Sequence, residues 1–376
     1  VSVSPKSKQH SESKEMIQEV DRFVDGIARS VKTKLRMPSD FNRVCICGMG
    51  GSAMSGDIIA DALTMSWNIP IQVIRSTSIP NWMDERTLVI ASSYSGNTRE
   101  TLMMYDQAKA KGCKMVVITA GGELRDKCLR DSNKLIEVPI GLQPRSAIGY
   151  TIGYLANIIQ TAGGPKVRDE LTRMIPLLRR YRGSIWTRNP ESEAKHIAKR
   201  LHGTVPAIYA DGALSSAAVR WKNQINENSK MIAFNGAIPE MNHNEIVGWS
   251  ACAHRTKCKP VFLYEEGSSD VQGTIMLESV ELLRSSGSDP EVVTIEGRTV
   301  LERSLKAVML GDYVSLFLAS MNGVDPMDIE PITSFKKRLA MLLGRKKTDK
   351  PKKEKTDRPK KEKTDKKKRS PETDDQ

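Results

Sequence analysis

Cysteine is sparse: six residues, Cys45, Cys47, Cys113, Cys128, Cys252 and Cys258, in a chain of 376. That excludes a disulfide framework and suits a reducing cytoplasm. Cys252, His254 and Cys258 are near one another in sequence, but their spacing matches no standard zinc pattern, so no metal is read from them. No run of about 18 apolar residues occurs, which by that criterion excludes a bilayer span. The opening VSVSPKSKQHSESKE is polar and lacks the apolar core of a secretory signal. Aromatic residues make up only 5% of the chain. What is present suffices for a folded protein, since 39% hydrophobic residues exclude a wholly disordered chain even with 27% charged. At about 150 residues per domain, the length argues for two domains.

Charge is unevenly spread. The segment 345–376 holds 15 basic against 8 acidic residues, which is +7 of the chain's +13. The basic excess of the whole chain therefore says little about what its folded body binds. Within that segment the octad TDKPKKEK, residues 348–355, is followed by TDRPKKEK, residues 356–363. With no apolar residue, the repeat cannot offset its own ordering entropy and reads as a disordered, solubilising tail. It offers weak, salt-sensitive contact to nucleic acid or acidic surfaces and no specific one.

An α/β alternation occupies the rest. Ile17, Val20, Phe23, Val24, Ile27 and Val31 have helical spacing and predict an amphipathic helix over 16–36. Five short apolar runs follow, at Val44–Gly48, Ile71–Ile74, Thr87–Ser92, Lys114–Thr119 and Lys134–Val138, with helices at Ser52–Met65 and Thr98–Lys111. Such runs between helices argue a parallel sheet covered on both faces. Residues 146–201 look mainly helical. A second alternation has strands at Ala207–Tyr209, Met231–Phe234, Val261–Tyr264 and Glu291–Thr294, and helices at Leu214–Glu227, Val271–Ser285 and Leu301–Met321. The expected organisation is a flexible end at 1–15 and a first doubly wound α/β half over 16–160. A helical connection over 161–199 leads to a second half over 200–343, closed by a helix near Ile332–Leu343. The tail fills 344–376.

Two turns carry the chemistry. In CICGMGGSAMSGD, residues 45–57, a strand gives way to glycines and a helix start. Glycine lets backbone approach a ligand closely, and a helix start offers free N–H groups to an anion such as phosphate. The pattern is not a clean G-x-G-x-x-G, and no lysine precedes Ser52, which excludes a P-loop. The bland alternative is a tight turn without a ligand. In SSYSGNTRET, residues 92–101, Ser93, Ser95 and Thr98 surround a glycine, again between strand and helix. Hydroxyls and helix N–H groups together can hold a phosphate without a metal. The alternative there is that Asn97 or Thr98 merely caps the helix. Two such turns on neighbouring strands would face one crevice, which raises the phosphate reading above either motif alone.

GMGGSAMSGD and SYSGNTRET resemble the sugar-isomerase (SIS) domain, which binds phosphosugars. PRSAIGY at 144–150, NQINENSK at 223–230, EMNHNEIVGW at 240–249 and GVDPMDIEPITSFKKRL at 323–339 extend the likeness over about residues 16–343. In that order they resemble the bifunctional phosphoglucose/phosphomannose isomerase family. The resemblance implies two flavodoxin-like halves of five parallel strands each. It implies that Gly51, Ser52, Ser93, Ser95 and Thr98 bind the phosphosugar and that Arg145 lies near the reacting carbons. It also implies that Glu227 moves a proton between C1 and C2 and that His243 and Lys336 open the sugar ring. It further implies a homodimer in which the histidine comes from the partner subunit. The family carries a small polar residue seven positions before the lysine; here that position is Ile329, which contributes no hydroxyl.

The residues suit that chemistry. Aldose–ketose isomerisation removes a proton beside a carbonyl, which a carboxylate can do, and a guanidinium can stabilise the enediolate oxygen. A carboxylate of Glu240 or Glu245 would hold the tautomer of His243. Read without the resemblance, Glu227 is an exposed helix-end glutamate, Arg145 half of a surface ion pair, and His196 and His202 solvent-facing. Lys337 and Arg338 adjoin Lys336, so the choice of lysine follows the family register. The expected protein is a cytoplasmic, metal-free and cofactor-free isomerase of glucose 6-phosphate and mannose 6-phosphate with fructose 6-phosphate. A noncatalytic phosphosugar sensor would use the same turns without base or ring-opening pair. A nucleotide-dependent dehydrogenase would have no use for the hydroxyl-rich turn.

Overall fold

The computed structural model describes residues 15–186, 192–266 and 271–348. The expected flexible end up to residue 14 and the octad repeats from residue 349 lie outside the described residues. The chain forms two compact units, one up to Asp328 and one from Ile329 onward.

In the first unit, residues 15–21 are helical, and α1 (Phe23–Ser30) ends well before residue 36. There the Ser30 hydroxyl donates to Gly26 O at 2.8 Å, spending itself on the helix's own backbone. The first alternation is β1 (Arg43–Gly48), α2 (Gly50–Leu63), β2 (Ile71–Ile74), β3 (Thr87–Ser93), α3 (Arg99–Ala110), β4 (Lys114–Thr119), α4 (Gly122–Arg130) and β5 (Lys134–Glu137). Its five strands are all parallel, in the order β2-β1-β3-β4-β5. Helices α5 (Ile148–Thr161), α6 (Val167–Ile185) and α7 (Glu193–Leu201) connect the halves.

The second alternation is β6 (Val205–Ala210), α8 (Ser215–Ser229), β7 (Phe234–Ala237), α9 (Glu245–Ala251), β8 (Cys258–Glu265), α10 (Val271–Ser285), β9 (Glu291–Ile295) and α11 (Val300–Asn322). Its sheet is also parallel, in the order β7-β6-β8-β9. Among the described residues it has four strands, not the five the resemblance implies. After β9 the chain enters a 23-residue helix, and GVDPMDI beyond it is too polar and proline-broken to pair as a further strand. β7 lies three residues later than the apolar run Met231–Phe234 suggested.

Alternation along the strands divides the core. Val44, Ile46, Leu88, Ile90 and Val116 from the first sheet share one cluster with Ile208, Val261 and Leu263 from the second. The intervening residues Cys45, Cys47, Val89 and Val117 face α3 and α4 through Met104, Tyr105, Leu124 and Cys128. Ala207, Tyr209 and Phe262 face Trp249 of α9 and Met276 of α10. Helices α2, α5, α8 and α11 thus fill the space common to both sheets, which is why both sheets are covered twice. By length and composition α11 would suffice to cross a membrane, although Asp312 interrupts its apolar run; 78% of that stretch is buried inside the protein, as befits a core helix.

The second unit contains α12 (Glu330–Thr348), whose backbone continues past Leu343, where the tail was expected to begin. Lysine and arginine are good helix formers and favour a helix C-terminus, so Arg345–Lys347 prolong it.

Candidate active site

The two turns leave adjacent strand ends. Gly48 at the end of β1 is the register partner of Ser92 in β3. The sheet order reverses between these strands, and such a switch point at the carboxyl ends is where open α/β sheets bind ligands. At the first turn, α2 begins at Gly50 with no side-chain cap from Met49, leaving its first N–H groups to other acceptors. Ser52 borders this turn, half-buried. At the second turn, Ser93 is 3% exposed and its hydroxyl donates to Thr98 Oγ1 at 2.9 Å. Thr98 precedes α3 but makes no cap bond with its side chain. Asn97 caps a different helix: its Oδ1 accepts from the Glu123 amide in α4 at 3.0 Å. Ser95 is exposed, and its Oγ accepts from the Asn97 amide at 3.3 Å.

Helix pairing brings the second half's chemistry to this crevice. Helix α2 packs on α8, and Asp61 near the end of α2 accepts from the Ser216 amide at the start of α8 at 3.1 Å. The helices are therefore antiparallel. From Asp61 back to Gly51 is about 15 Å, and from Ser216 on to Glu227 about 17 Å, at 1.5 Å per residue. The end of α8 accordingly returns to the level of the first turn. A Cβ on Gly51 would lie 3.2 Å from Pro144 O and 3.4 Å from the Arg145 Cα, so the glycine admits the 144–145 backbone at close quarters. The Arg145 Nη1 then stands 3.7 Å from Glu227 Oε2. Gly51, Arg145 and Glu227, far apart in sequence, meet in this way.

Neither residue behaves as its bland alternative. Arg145 is 5% exposed, and the Glu227 side chain is 34% exposed, enough to reach a ligand while tied to a buried cation. Burial pulls the Arg145 guanidinium below its ordinary pKa; Glu227 opposes this and Arg220 adds to it. Its Nε donates to Asn228 Oδ1 at 3.0 Å and its Nη2 to Pro326 O at 2.6 Å. Lys230 closes α8 in the left-handed region at φ 55, and its Nζ donates to Glu227 O at 2.6 Å and Asp328 O at 2.8 Å. Burial first and Arg145 second push this ammonium below its usual value. The carboxylate thus sits among two cations in a partly desolvated place, a setting for proton transfer with charge build-up on a neighbouring oxygen.

His243 ends a short 3-10 turn and is exposed, with no hydrogen bond or ion pair among the described residues. The neighbouring carboxylates do not hold it: Glu240 accepts from Asn244 and Glu245 from Tyr209. Lys336 and Lys337 belong to the second unit, where both are exposed on α12. His196 and His202 are solvent-facing, as the charged stretch implied. Sequence reading missed Asn228, Arg220 and Asp312. Asn228 adjoins Glu227 in the NEN motif, and Arg220 lies two helical turns before it, so their periodicity was the available signal.

This architecture, with two glycine- and hydroxyl-bearing turns at a switch point, is that of a SIS-domain protein. The SIS domain model matches residues 39–128, and the model described as bacterial phospho-glucose isomerase C-terminal SIS domain matches residues 190–339. The chain is 35% identical over 331 residues to a bifunctional phosphoglucose/phosphomannose isomerase of Caldicellulosiruptor bescii, covering 87% of this chain and 96% of that one. It is 33% identical to the enzyme of that name from Aquifex aeolicus, covering 80% and 91%. The chain belongs to the bifunctional phosphoglucose/phosphomannose isomerase family. A hypothetical protein from Thermus thermophilus shares the fold, with TM-score 0.68 at 15% identity, over 92% of this chain and 95% of that one.

Proposed function

We propose that this protein interconverts glucose 6-phosphate and mannose 6-phosphate with fructose 6-phosphate through an enediol. The observation that carries the reading is the Arg145–Glu227 pair at 3.7 Å, set against the glycine turn by the antiparallel α2 and α8. In this reading Gly51, Ser52, Ser93, Ser95 and Thr98 bind the phosphosugar, the Ser93 hydroxyl also donating to Thr98 Oγ1. Glu227 carries the proton between C1 and C2, and Arg145 stabilises the enediolate oxygen. His243 and Lys336 open the ring. The exposure of His243, without a partner among the described residues, supports its delivery to the site of a second subunit in a homodimer.

The same reading takes 16–160 and 200–343 as two SIS subdomains joined over 161–199, in the cytoplasm. The two parallel sheets and the two family-model matches support the division.

The test is an NMR time course of the purified protein with fructose 6-phosphate and a chelator in deuterated water. Deuterium should enter at C1 or C2 as both aldose phosphates form. Glu227→Gln should abolish exchange and isomerisation together while retaining phosphosugar binding. Turnover by that variant at the normal rate would remove Glu227 from its role.

A further inference from the structure

Resting on the isomerase reading above, we propose that Asn228 and the buried Arg220–Asp312 pair are positioning residues that fix the orientation of Arg145. An arginine has five N–H donors on one plane and long flexible reach, so its catalytic value depends on what holds the plane. Here two edges are tied. Nε is taken by Asn228 Oδ1, and Nη2 by Pro326 O with Met16 Sδ at 3.6 Å. The third edge, Nη1, is turned to Glu227 across a gap too long for a direct hydrogen bond.

The ties are themselves anchored to α11. The Asn228 Nδ2 donates to Ser315 Oγ at 2.9 Å, and that hydroxyl donates to Asp312 O at 2.6 Å. Arg220 makes two bonds of 2.8 Å to the Asp312 carboxylate and donates to the backbone carbonyl of Arg145 at 3.1 Å. Both side chains of that pair are nearly fully buried, at 3% and 4%. Asp312 neutralises a second guanidinium that would otherwise repel Arg145. A buried ion pair is a poor way to gain stability compared with apolar packing, so an arrangement this complete points to fixed geometry as its use. Arg145 is thereby held at both backbone and side chain, while the face toward Glu227 stays open.

The experiment compares Asn228→Ala with the wild type and with Glu227→Gln. The readouts are kcat and KM for fructose 6-phosphate and the inhibition constant of a phosphorylated aldonic acid, whose carboxylate mimics the enediolate. Positioning predicts a kcat lower by about 100-fold, the effect of roughly 1 Å of misplacement, with KM almost unchanged. The aldonate should weaken in step with kcat. Should Asn228→Ala fail to fold, Ser315→Ala removes only the anchoring hydroxyl, and the same split at smaller size is expected. Normal kcat in the variant, or a loss entirely in KM with the aldonate unaffected, overturns the proposal. A wild type that is inactive, or an active Glu227→Gln, instead overturns the reading on which it rests.

Discussion

Two glycines with positive φ show how differently one residue type can be constrained. Gly50 has φ 50, and a Cβ there would meet nothing within 4 Å. Gly96 has φ 67, and a Cβ there would fall 1.7 Å from Gly121 O. Gly50→Ala should cost about 1 kcal/mol, the conformational penalty alone. Gly96→Ala adds an overlap with backbone that cannot rotate away and should cost several times that, about 3 kcal/mol or more. Because Gly96 lies between Ser95 and Thr98, the same change should raise KM for the phosphosugar. Urea unfolding of the two variants and their steady-state kinetics check both statements; equal destabilisation would refute the steric account. Both glycines were legible as turn residues in the sequence. Which one is pressed against a neighbouring turn was not, because that turn, at Gly121, follows a whole helix and strand later.

At the level of elements, the register of α8 along α2 decides where Glu227 arrives, and Asp61 pins that register from the far end. Burial raises its carboxyl from 3.8 to about 6, against the Ser216 amide bond that lowers it; Asp57 nearby adds to the rise. The folded state therefore holds the proton to higher pH than the unfolded chain does. Its contribution favours folding below about pH 4 and is lost as pH rises through about 6. Asp61→Asn keeps an oxygen for the Ser216 amide and cannot ionise. Its melting temperature should gain on that of the wild type between about pH 4 and 6 and hold a constant lead above that range. Asp61→Ala likewise cannot ionise but also removes the acceptor, and it should lie about 1 kcal/mol below Asp61→Asn at every pH. Thermal melts over that range distinguish the two; parallel curves for wild type and Asp61→Asn would sink the assignment. The elements themselves were largely readable, since apolar runs such as Val44–Gly48 become parallel strands buried on both faces. α4 was missed because GELRDKCLR buries only Leu124 and Cys128, too few positions to establish a period. β7 was misplaced because Ile232 and Phe234, the apolar residues that suggested it, are 64% and 60% exposed.

Across the whole molecule, the site depends on long-range placement that local patterns do not encode. Composition and periodicity gave two α/β halves, but the antiparallel seating of α2 on α8, and with it the meeting of Gly51, Arg145 and Glu227, is a property of the shared core. The same scale decides the fate of His243. It is exposed and free of partners among the described residues, and Ile232, Phe234 and Val247 in the same half are exposed apolar side chains. In a two-fold dimer where each site takes Glu227 from one subunit and His243 from the other, inactive variants must complement. Glu227→Gln and His243→Ala subunits, unfolded together and reassembled in equal amounts, form heterodimers with one intact site and one doubly defective site. Random assortment under two-fold symmetry then restores about a quarter of wild-type activity. If each site drew both residues from its own chain, every heterodimer would hold two dead sites. A mixture no more active than the separate variants, while gel filtration and subunit exchange report heterodimers, would place the histidine in its own subunit's site.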